Sequence, residues 1–313
     1  MSCLPVNPKA TPEARELLSF LYDVSGRRVM TGQHNVPGRG SADSAEAAGI
    51  GGAYPAIWGQ DFGFSADDHD GVQFRDRIIE EAIEQHRQGS IVTLMWHAVR
   101  PTHDEPVTFK ENIIGSLTDD EWVELVTPGT PLHHRWIEQT DVIASLLLKL
   151  KEAKIPVLWR PYHEMNGDWF WWCDRPGPDG YEALWRHLYY RFVHVHELHN
   201  LVWVWNANAP RQNAKPYRPF YPGHDVVDVL ATDVYNNDYQ ADHYREMLDL
   251  AEGKPIGFGE VGQMPTPELL AKEPRWCWFM TWSGFETRYN DPAEVRRLFS
   301  DPRSLNRPAM LGN

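Results

Sequence analysis

The chain has 313 residues, of which 42% are hydrophobic and 24% are charged, a composition typical of a globular protein. Its 44 acidic and 30 basic side chains give a net charge of -14. This charge disfavours nucleic acid and anionic lipid as partners, because both would be repelled at long range, whereas a neutral partner is unaffected. The apolar runs are interrupted by polar residues and are too short to span a bilayer, so no membrane partner is expected.

Residues 1–8 contain no basic region followed by an apolar stretch, so they do not form a signal peptide as written. The protein is therefore expected to be either cytoplasmic or the mature form of a secreted protein whose leader was removed. Three cysteines, Cys3, Cys173 and Cys277, lack metal-ligand spacing and cannot all pair. We expect free thiols, with a Cys173–Cys277 bridge as the alternative.

Eight short apolar runs predict eight strands along the chain. They cover residues 28–31, 53–58, 91–96, 156–159, 201–205, 226–232, 255–259 and 276–281. Helical periodicity lies between them, most clearly at 72–87, 140–151, 180–196 and 242–250. Alternating strands and helices imply a parallel sheet, and eight such units match a closed barrel better than a doubly wound sheet. The sequence predicts an α/β fold, a (β/α)8 TIM barrel, as a single domain over residues 1–313.

Two connections in this barrel bear on function. The first predicted strand is followed by Gly32, Gln33 and His34 without a glycine-rich phosphate loop, which argues against a dinucleotide-binding fold. The connection after the third strand is long and rich in Pro, Asp, Thr and Gly. Because it leaves the carboxyl end of a strand, where barrel active sites lie, we expect residues 98–131 to form a long active-site loop.

Polar and aromatic residues end the predicted strands, and a barrel gathers these ends at one mouth. The 14 Trp and 12 Tyr suggest that aromatic rings line a site, since their faces suit the C–H surfaces of sugars. In chain order the strand-end residues are Gln33, His34, Gln60, Asp61, Trp96, His97, Arg160, His163, Glu164, Trp205, Asn206, Asp233, Tyr235, Glu260 and Trp282.

Two glutamates in this set, Glu164 and Glu260, fit glycoside cleavage. That reaction needs one carboxylic acid to protonate the leaving oxygen and one carboxylate at the anomeric carbon, about 5–5.5 Å apart for retention. Glu164 lies in an aromatic segment that would raise its pKa by desolvation, as a general acid requires. Glu260 follows small residues that let substrate approach, and Tyr235 is positioned to hydrogen-bond it and keep it ionised.

The segment at residues 160–172, RPYHEMNGDWFWW, resembles the acid/base segment of glycoside hydrolase family 26, the β-mannanases of clan A. Further motifs follow in the family's order, so the resemblance runs from about residue 28 to 285. They are Thr31-Gly-Gln-His34, Trp96-His97, Trp203-Val-Trp-Asn206, Asp233-Val-Tyr235, Gly257-Phe-Gly-Glu260 and Trp282.

The resemblance implies a retaining, endo-acting β-1,4-mannanase that acts on mannan, glucomannan or galactomannan by double displacement, as a monomer without a cofactor. Glu164 would be the acid/base and Glu260 the nucleophile, with His163 orienting the acid/base, Tyr235 steering the nucleophile and Arg160 in support. The predicted substrate-binding residues are Trp96, His97, Trp169, Trp172, Trp282, Asn206, Asp233, His34, Gln60 and Asp61. No metal site is expected.

Several alternatives stay open at this stage. Some relatives carry an Arg directly after the strand-eight Trp that grips a distal mannose, whereas this chain has Ser283, so exo action as a mannobiohydrolase remains an alternative. The same site fits mixed-linkage β-1,3-1,4-glucan or β-1,3-xylan. His34, His97, His163 and Glu164 would be the ligands of a metal-dependent hydrolase, and a binding protein without catalysis is a further reading.

Overall fold

The computed structural model describes residues 4–66, 69–106 and 108–307. Its elements up to the middle of the chain are α1 (Pro12–Val24), β1 (Val29–Met30), β2 (Gly32–His34), α2 (Ala42–Gly51), β3 (Ile57–Asp61), β4 (Phe64–Ala66), β5 (His69–Asp70), α3 (Arg75–Arg87), β6 (Ile91–Trp96), α4 (Asp119–Val126), α5 (Pro131–Glu152) and β7 (Val157–Pro161). There follow α6 (Tyr181–Tyr190), β8 (Leu201–Asn208), β9 (Val229–Val234), α7 (Ala241–Ala251), β10 (Ile256–Val261), α8 (Pro267–Lys272), β11 (Trp276–Thr281), α9 (Phe285–Arg288), α10 (Pro292–Phe299) and β12 (Ser304–Leu305).

The parallel strands close into a barrel with eight staves. The first stave is interrupted and consists of β1 and β2, and the others are β3, β6, β7, β8, β9, β10 and β11 in order. Closure comes from β11, which pairs with β10 on one side and with β1 and β2 on the other. The predicted single-domain (β/α)8 barrel is thereby confirmed.

The predicted strands lie on the right segments, but several end too early. The second was predicted to end at residue 58 and ends at Asp61, and the fifth was predicted to end at 205 and ends at Asn208. The prediction followed apolar runs, whereas the barrel strands continue into polar residues that face the mouth. This extension is functionally important, because it brings further polar side chains to the site.

Two apolar layers hold the barrel together. Along β8, Val202 and Val204 pack inside the barrel with Leu158 and Met280, while Trp203 and Trp205 pack outward against the helices. This alternation is the period of two that a strand imposes. Twelve tryptophans are buried in these layers, and only Trp169 and Trp282 are partly exposed. Most tryptophans therefore serve the core, and the aromatic rings that line the cleft include Trp169 and Trp282.

The connection after β6, which was predicted as a long loop over residues 98–131, contains helical elements. It contains a π-helical turn at Phe109–Ile113 and then α4, whose start carries a reciprocal capping box between Thr118 and Glu121. Elsewhere, Cys173 and Cys277 are buried free thiols, as expected, and Cys3 lies outside the described residues. Among the helices of the described ranges, none combines the length and apolarity needed to cross a membrane.

Candidate active site

The segment that follows β7 makes a sharp turn at Glu164, which has a left-handed backbone with φ of 55°. Non-glycine residues in this region are strained and persist only where neighbouring structure holds them. Here the Glu164 amide donates to the Asn206 carbonyl at 2.8 Å, and the Gly167 amide donates to the Glu164 carbonyl at 2.9 Å. The turn thus aims the Glu164 side chain into the barrel mouth.

Two donors fix the carboxyl group of Glu164. Trp169 Nε1 donates to Oε2 at 2.8 Å, and Asn208 Nδ2 donates to Oε1 at 2.5 Å. Burial, followed by the nearby charge of Glu260, raises the pKa of Glu164 to about 7. Both donors act in the opposite direction but do not outweigh burial. Glu164 therefore holds its proton below about pH 7.

The position of Trp169 depends on Gly167. A Cβ at residue 167 would lie 2.3 Å from the Trp169 ring, so any side chain there would push the indole away. With glycine in place, the ring lies across the turn and reaches Glu164. Trp169 thus serves as a hydrogen-bond donor to the acid and as an aromatic wall of the cleft.

Glu260, near the end of β10, is held on both oxygens. Tyr235 OH donates to Oε2 at 2.7 Å, and Arg160 Nη2 donates to Oε1 at 3.2 Å. His163 Nε2 lies 3.7 Å from Oε1. A positive charge and a phenol donor both favour the carboxylate form. Both glutamates are buried, but they differ in their donors: Glu164 has two neutral donors, whereas Glu260 has a guanidinium and a phenol.

Beneath Glu260, the Arg160 guanidinium is itself positioned by Asn206. Arg160 Nη1 donates to Asn206 Oδ1 at 2.7 Å, and both residues are buried. Gly259 leaves the space for this contact, since a Cβ there would lie 1.6 Å from Asn206 Oδ1. The chain therefore needs glycine directly before Glu260.

Replacing Gly259 with Ala is expected to lower activity at least about ten-fold and to destabilise the fold by about 1–3 kcal/mol, because the methyl group displaces Asn206 and with it Arg160. Steady-state kinetics and thermal unfolding would measure both effects. Gly49→Ala is the matched control, since a Cβ at this α2 position meets nothing within 4 Å. A Gly259→Ala enzyme with unchanged activity would contradict the role given to Asn206 and Arg160 beneath Glu260.

Asp233 lies under the same site, fully buried at the end of β9. Burial, followed by the charges of Glu260 and Glu164, raises its pKa well above the ordinary value. The Arg160 guanidinium stands 3.9 Å from its carboxyl group. Burial therefore opposes ionisation of Asp233, which lies below Glu260 and does not line the cleft.

His97 and Asp61 form a pair at the ends of β6 and β3. His97 Nδ1 lies 2.5 Å from Asp61 Oδ2, and the His97 amide donates to Asp61 Oδ1 at 3.0 Å. Burial opposes ionisation of Asp61, but His97 and the hydrogen bonds outweigh it, so the pKa of Asp61 lies below its ordinary value. The pair fixes the His97 ring edge-on to His163, with centroids 4.5 Å apart.

The cleft has two adjoining parts that share Phe64 and Trp282. The inner cavity, of 290 Å³, contains both glutamates, and its lining is Phe64, His97, Phe109, His163, Glu164, Trp169, Phe170, Arg211, Tyr235, Glu260 and Trp282. The outer cavity, of 320 Å³, lies beyond Trp282, whose ring stacks on His34 at 4.0 Å. Its other lining residues include Asn35, Asp61, Ser283 and Arg288.

The structure brings most of the predicted residues to this cleft but not all. Trp96, Trp172 and Gln60 lie outside both linings, and Asn206, Asp233 and Arg160 lie beneath the floor. Trp96 faces the outer core because it occupies the outward phase of β6, and Trp172 stacks on Phe170 at 4.5 Å. Gln60 donates to the Gly40 carbonyl instead of facing the cleft. The substrate-binding prediction is corrected for Trp96, Trp172, Gln60, Asn206 and Asp233, whereas Arg160 was predicted only as catalytic support.

A second correction concerns His163, which was predicted to orient the acid/base. Its ring lies toward Glu260, and within the described residues the hydrogen bonds to the Glu164 carboxyl come from Asn208 and Trp169. Asn208 was missed, although a signal existed: it stands two residues after Asn206, on the same face of a strand. Phe64, Phe109, Phe170 and Arg211 were also missed, because they reach the cleft from the connections between the barrel strands.

Few residues could hold a metal ion. His163, Glu164 and Asp233 bring potential ligand atoms within 4.8 Å of one another, but the Arg160 guanidinium beside them already supplies a positive charge. Asp43, Glu46 and Glu286 form a second group, in which Asp43 pairs with Arg39 at 2.6 Å. The metal-ligand set suggested by the sequence does not come together, since His34 lines the outer cavity whereas His97, His163 and Glu164 line the inner one.

Activity is expected to survive exhaustive chelation, because Arg160 occupies the electrostatic role that a cation would have at this site. Hydrolysis rates before and after dialysis against a chelator would test this. The control is the same enzyme with divalent ions restored. A loss that added zinc or calcium reverses would contradict the prediction.

Comparison with known proteins agrees with this geometry. The family model for glycosyl hydrolase family 26 matches residues 6–308. The solved structure of a GH26A protein from a Muricauda species is 44% identical, with a TM-score of 0.93 over 97% of this chain and 99% of that chain. A β-mannanase from a symbiotic protist of the termite Reticulitermes speratus, solved with a gluco-manno-oligosaccharide, is 27% identical, with a TM-score of 0.85 over 99% of this chain and 98% of that chain.

Curated relatives are longer than this chain. A mannan endo-1,4-beta-mannosidase from Thermothelomyces thermophilus is 31% identical across 98% of this chain, which spans 63% of that protein. Mannan endo-1,4-beta-mannosidase A from a Piromyces species is 30% identical across 96% of this chain, which spans 49% of that protein. With a family model that matches nearly its whole length, the chain belongs to glycosyl hydrolase family 26.

Proposed function

We propose that this chain is a retaining, endo-acting β-1,4-mannanase that hydrolyses mannan, glucomannan or galactomannan. The observation that carries the proposal is the pair of glutamates on one cavity in unlike environments. Glu164 is desolvated and holds its proton, while Glu260 is held by Arg160 and Tyr235 as an anion. One acid and one nucleophile at a sugar-sized cavity are what a double displacement requires.

In the proposed first step, a Glu260 oxygen attacks the anomeric carbon while the bond to the leaving oxygen breaks. Glu164 gives its proton to that oxygen, so the leaving sugar departs neutral and a glycosyl ester of Glu260 remains. Glu260 loses its negative charge as the ester forms. The hydrogen bonds from Arg160 and Tyr235 keep the attacking carboxylate in line with the anomeric carbon.

In the proposed second step, Glu164, now an anion, takes a proton from water. As this proton is transferred, the water oxygen attacks the anomeric carbon, the ester bond to Glu260 breaks, and both glutamates return to their starting states. Two inversions give net retention, so early products should carry the β configuration in proton NMR spectra. An α product would contradict the mechanism.

The substrate assignment rests on the relatives and on the form of the cleft. Two of the relatives described above are named mannan endo-1,4-beta-mannosidases, and the protist structure holds a gluco-manno-oligosaccharide. The outer cavity beyond Trp282 offers room for further sugars, as binding inside a polymer requires. Within the predicted loop at 98–131, Phe109 contributes to the wall, which supports an active-site role for that segment.

Side-by-side release of reducing sugar from glucomannan, galactomannan, lichenan and β-1,3-xylan tests the substrate assignment. We expect glucomannan and galactomannan to be cleaved fastest, with a mixture of oligosaccharide lengths from the start. Faster cleavage of lichenan or xylan would favour the alternative sugars. A single disaccharide product from mannan would favour exo action.

The pH profile of kcat/KM is expected to fall above about pH 7, where Glu164 loses its proton. The sign follows from burial, which raises this pKa above its ordinary value and so extends activity upward in pH. Asn208→Ala removes a donor that lowers the pKa, so the basic limb should move to higher pH. A limb that does not move in this variant would contradict the assignment of the limb to Glu164.

A further inference from the structure

Arg211 lines the inner cavity together with Glu164, Trp169 and Tyr235, yet the mechanism above gives it no task. It lies in the loop after β8 and is partly exposed. Across residues 4–66, 69–106 and 108–307, no acidic side chain pairs with its guanidinium. Both glutamates of the cavity receive their hydrogen bonds from other residues. A free cation with five donors thus faces the place where sugar binds.

The loop that carries Arg211 is fastened to the acid/base segment. Asn166, fully buried, donates to the Asn208 carbonyl at 2.8 Å and to the Lys215 carbonyl at 2.7 Å. It also accepts from the Asn208 amide at 2.8 Å. Arg211 and Ala214 exchange backbone hydrogen bonds of 3.0 and 2.9 Å inside this span. Arg211 is therefore held at a fixed place relative to Glu164.

The position of Arg211 also defines a side of the cleft. The outer cavity opens beyond Trp282, between the loops after β11, β2 and β3. Arg211 comes from the opposite side, after β8, beside the Glu164 that protonates the leaving oxygen. The sugar that leaves, and the molecule that later attacks the glycosyl ester, must approach on the side of the acid. Arg211 is thus on the acceptor side.

We infer, on the basis of the proposed function, that Arg211 binds hydroxyl groups of the sugar on the acceptor side and so promotes glycosyl transfer to a sugar as well as to water. In the transfer step an acceptor hydroxyl attacks the anomeric carbon. Its proton goes to Glu164, a new glycosidic bond forms, and the ester bond to Glu260 breaks. The planar guanidinium fork matches two neighbouring hydroxyls, whereas water gains nothing from it.

The test compares wild type, Arg211→Ala, Arg211→Lys and the control Arg296→Ala, which removes an exposed arginine of α10 outside the cleft lining. Each enzyme is given a manno-oligosaccharide and, separately, an aryl β-mannobioside. Chromatography gives the ratio of elongated to hydrolysed products, and aryl release gives the rate of the first step.

For Arg211→Ala we expect the transfer-to-hydrolysis ratio and the oligosaccharide kcat/KM to fall about ten-fold each, the effect of losing one charge-assisted hydrogen bond. The first step on the aryl substrate should stay unchanged, because its leaving group has no sugar hydroxyls. The values for Arg211→Lys should lie between those of wild type and Arg211→Ala, and Arg296→Ala should match wild type.

Two results would overturn the inference. One is an unchanged ratio in Arg211→Ala. The other is an equal loss on both substrates, which would indicate that Arg211 only supports the loop. Failure of the proposed function looks different, because the wild-type enzyme would then cleave no mannan at all.

Discussion

Glu260→Ala is expected to bind manno-oligosaccharides and to turn them over at least about 10⁴-fold more slowly than wild type, because the covalent intermediate cannot form. Removing this carboxylate also leaves the buried Arg160 without its counter-charge, which costs about 3–5 kcal/mol of stability. Glu260→Gln keeps the volume and is the second variant. Calorimetric titration measures the retained binding, and steady-state kinetics on glucomannan measure the loss of turnover.

Azide adds a test of which face the nucleophile occupied. With Glu260 removed and an activated β-mannoside as substrate, azide should enter the vacated face and give an α-glycosyl azide. Glu80→Ala, at an exposed position of α3, is the matched control and should behave as wild type. A β-azide from the Glu260→Ala enzyme would show that another group attacks the anomeric carbon.

The sequence predicted the barrel because its strands are apolar and its helices periodic, and it predicted the two glutamates because polar residues end strands at one mouth. The interrupted first stave, β1 and β2, still contributed Gln33 and His34 at the expected place. Residues on regular strands are predictable, since topology alone determines which end they occupy.

The parts that escaped prediction depend on side-chain direction or on loops. Trp96 precedes His97 by one residue and therefore points to the opposite face, into the helix layer. Asn208 takes the task that was expected of His163, because the left-handed turn at Glu164 swings its carboxyl toward β8. Arg211 and Phe109 reach the cleft from loops, whose course no periodicity encodes.

The same directional argument explains why so many tryptophans do not contact the cleft. Trp159, Trp203 and Trp205 occupy outward positions on β7 and β8, where large rings fill the space between sheet and helices. Composition counts rings without regard to face. Of the two tryptophans that reach the cleft, Trp282 directly follows β11, and Trp169 lies in the segment that follows β7. Their place after the strand end, and not their number, carried the functional signal.

Glu164→Ala should separate the two chemical steps by leaving group. On glucomannan, whose leaving oxygen must be protonated, we expect a loss of about 10²–10⁴-fold in kcat/KM. On an aryl β-mannobioside with a very acidic phenol, the first step should be almost as fast as in wild type, since the phenolate leaves without a proton. The glycosyl ester should then accumulate, and a burst of phenol in stopped-flow traces would report it.

Two further features mark this variant as an acid/base change. The fall in kcat/KM on glucomannan above about pH 7 should vanish from the residual activity, because the group that causes it is gone. Azide should restore turnover by attacking the ester, and the product should be a β-glycosyl azide, opposite to the product of the Glu260 variant. Glu164→Gln keeps the contacts of Asn208 and Trp169 in part and controls for a collapsed site. Equal losses on polymer and aryl substrate would contradict the assignment, because a general acid matters only where the leaving group needs a proton.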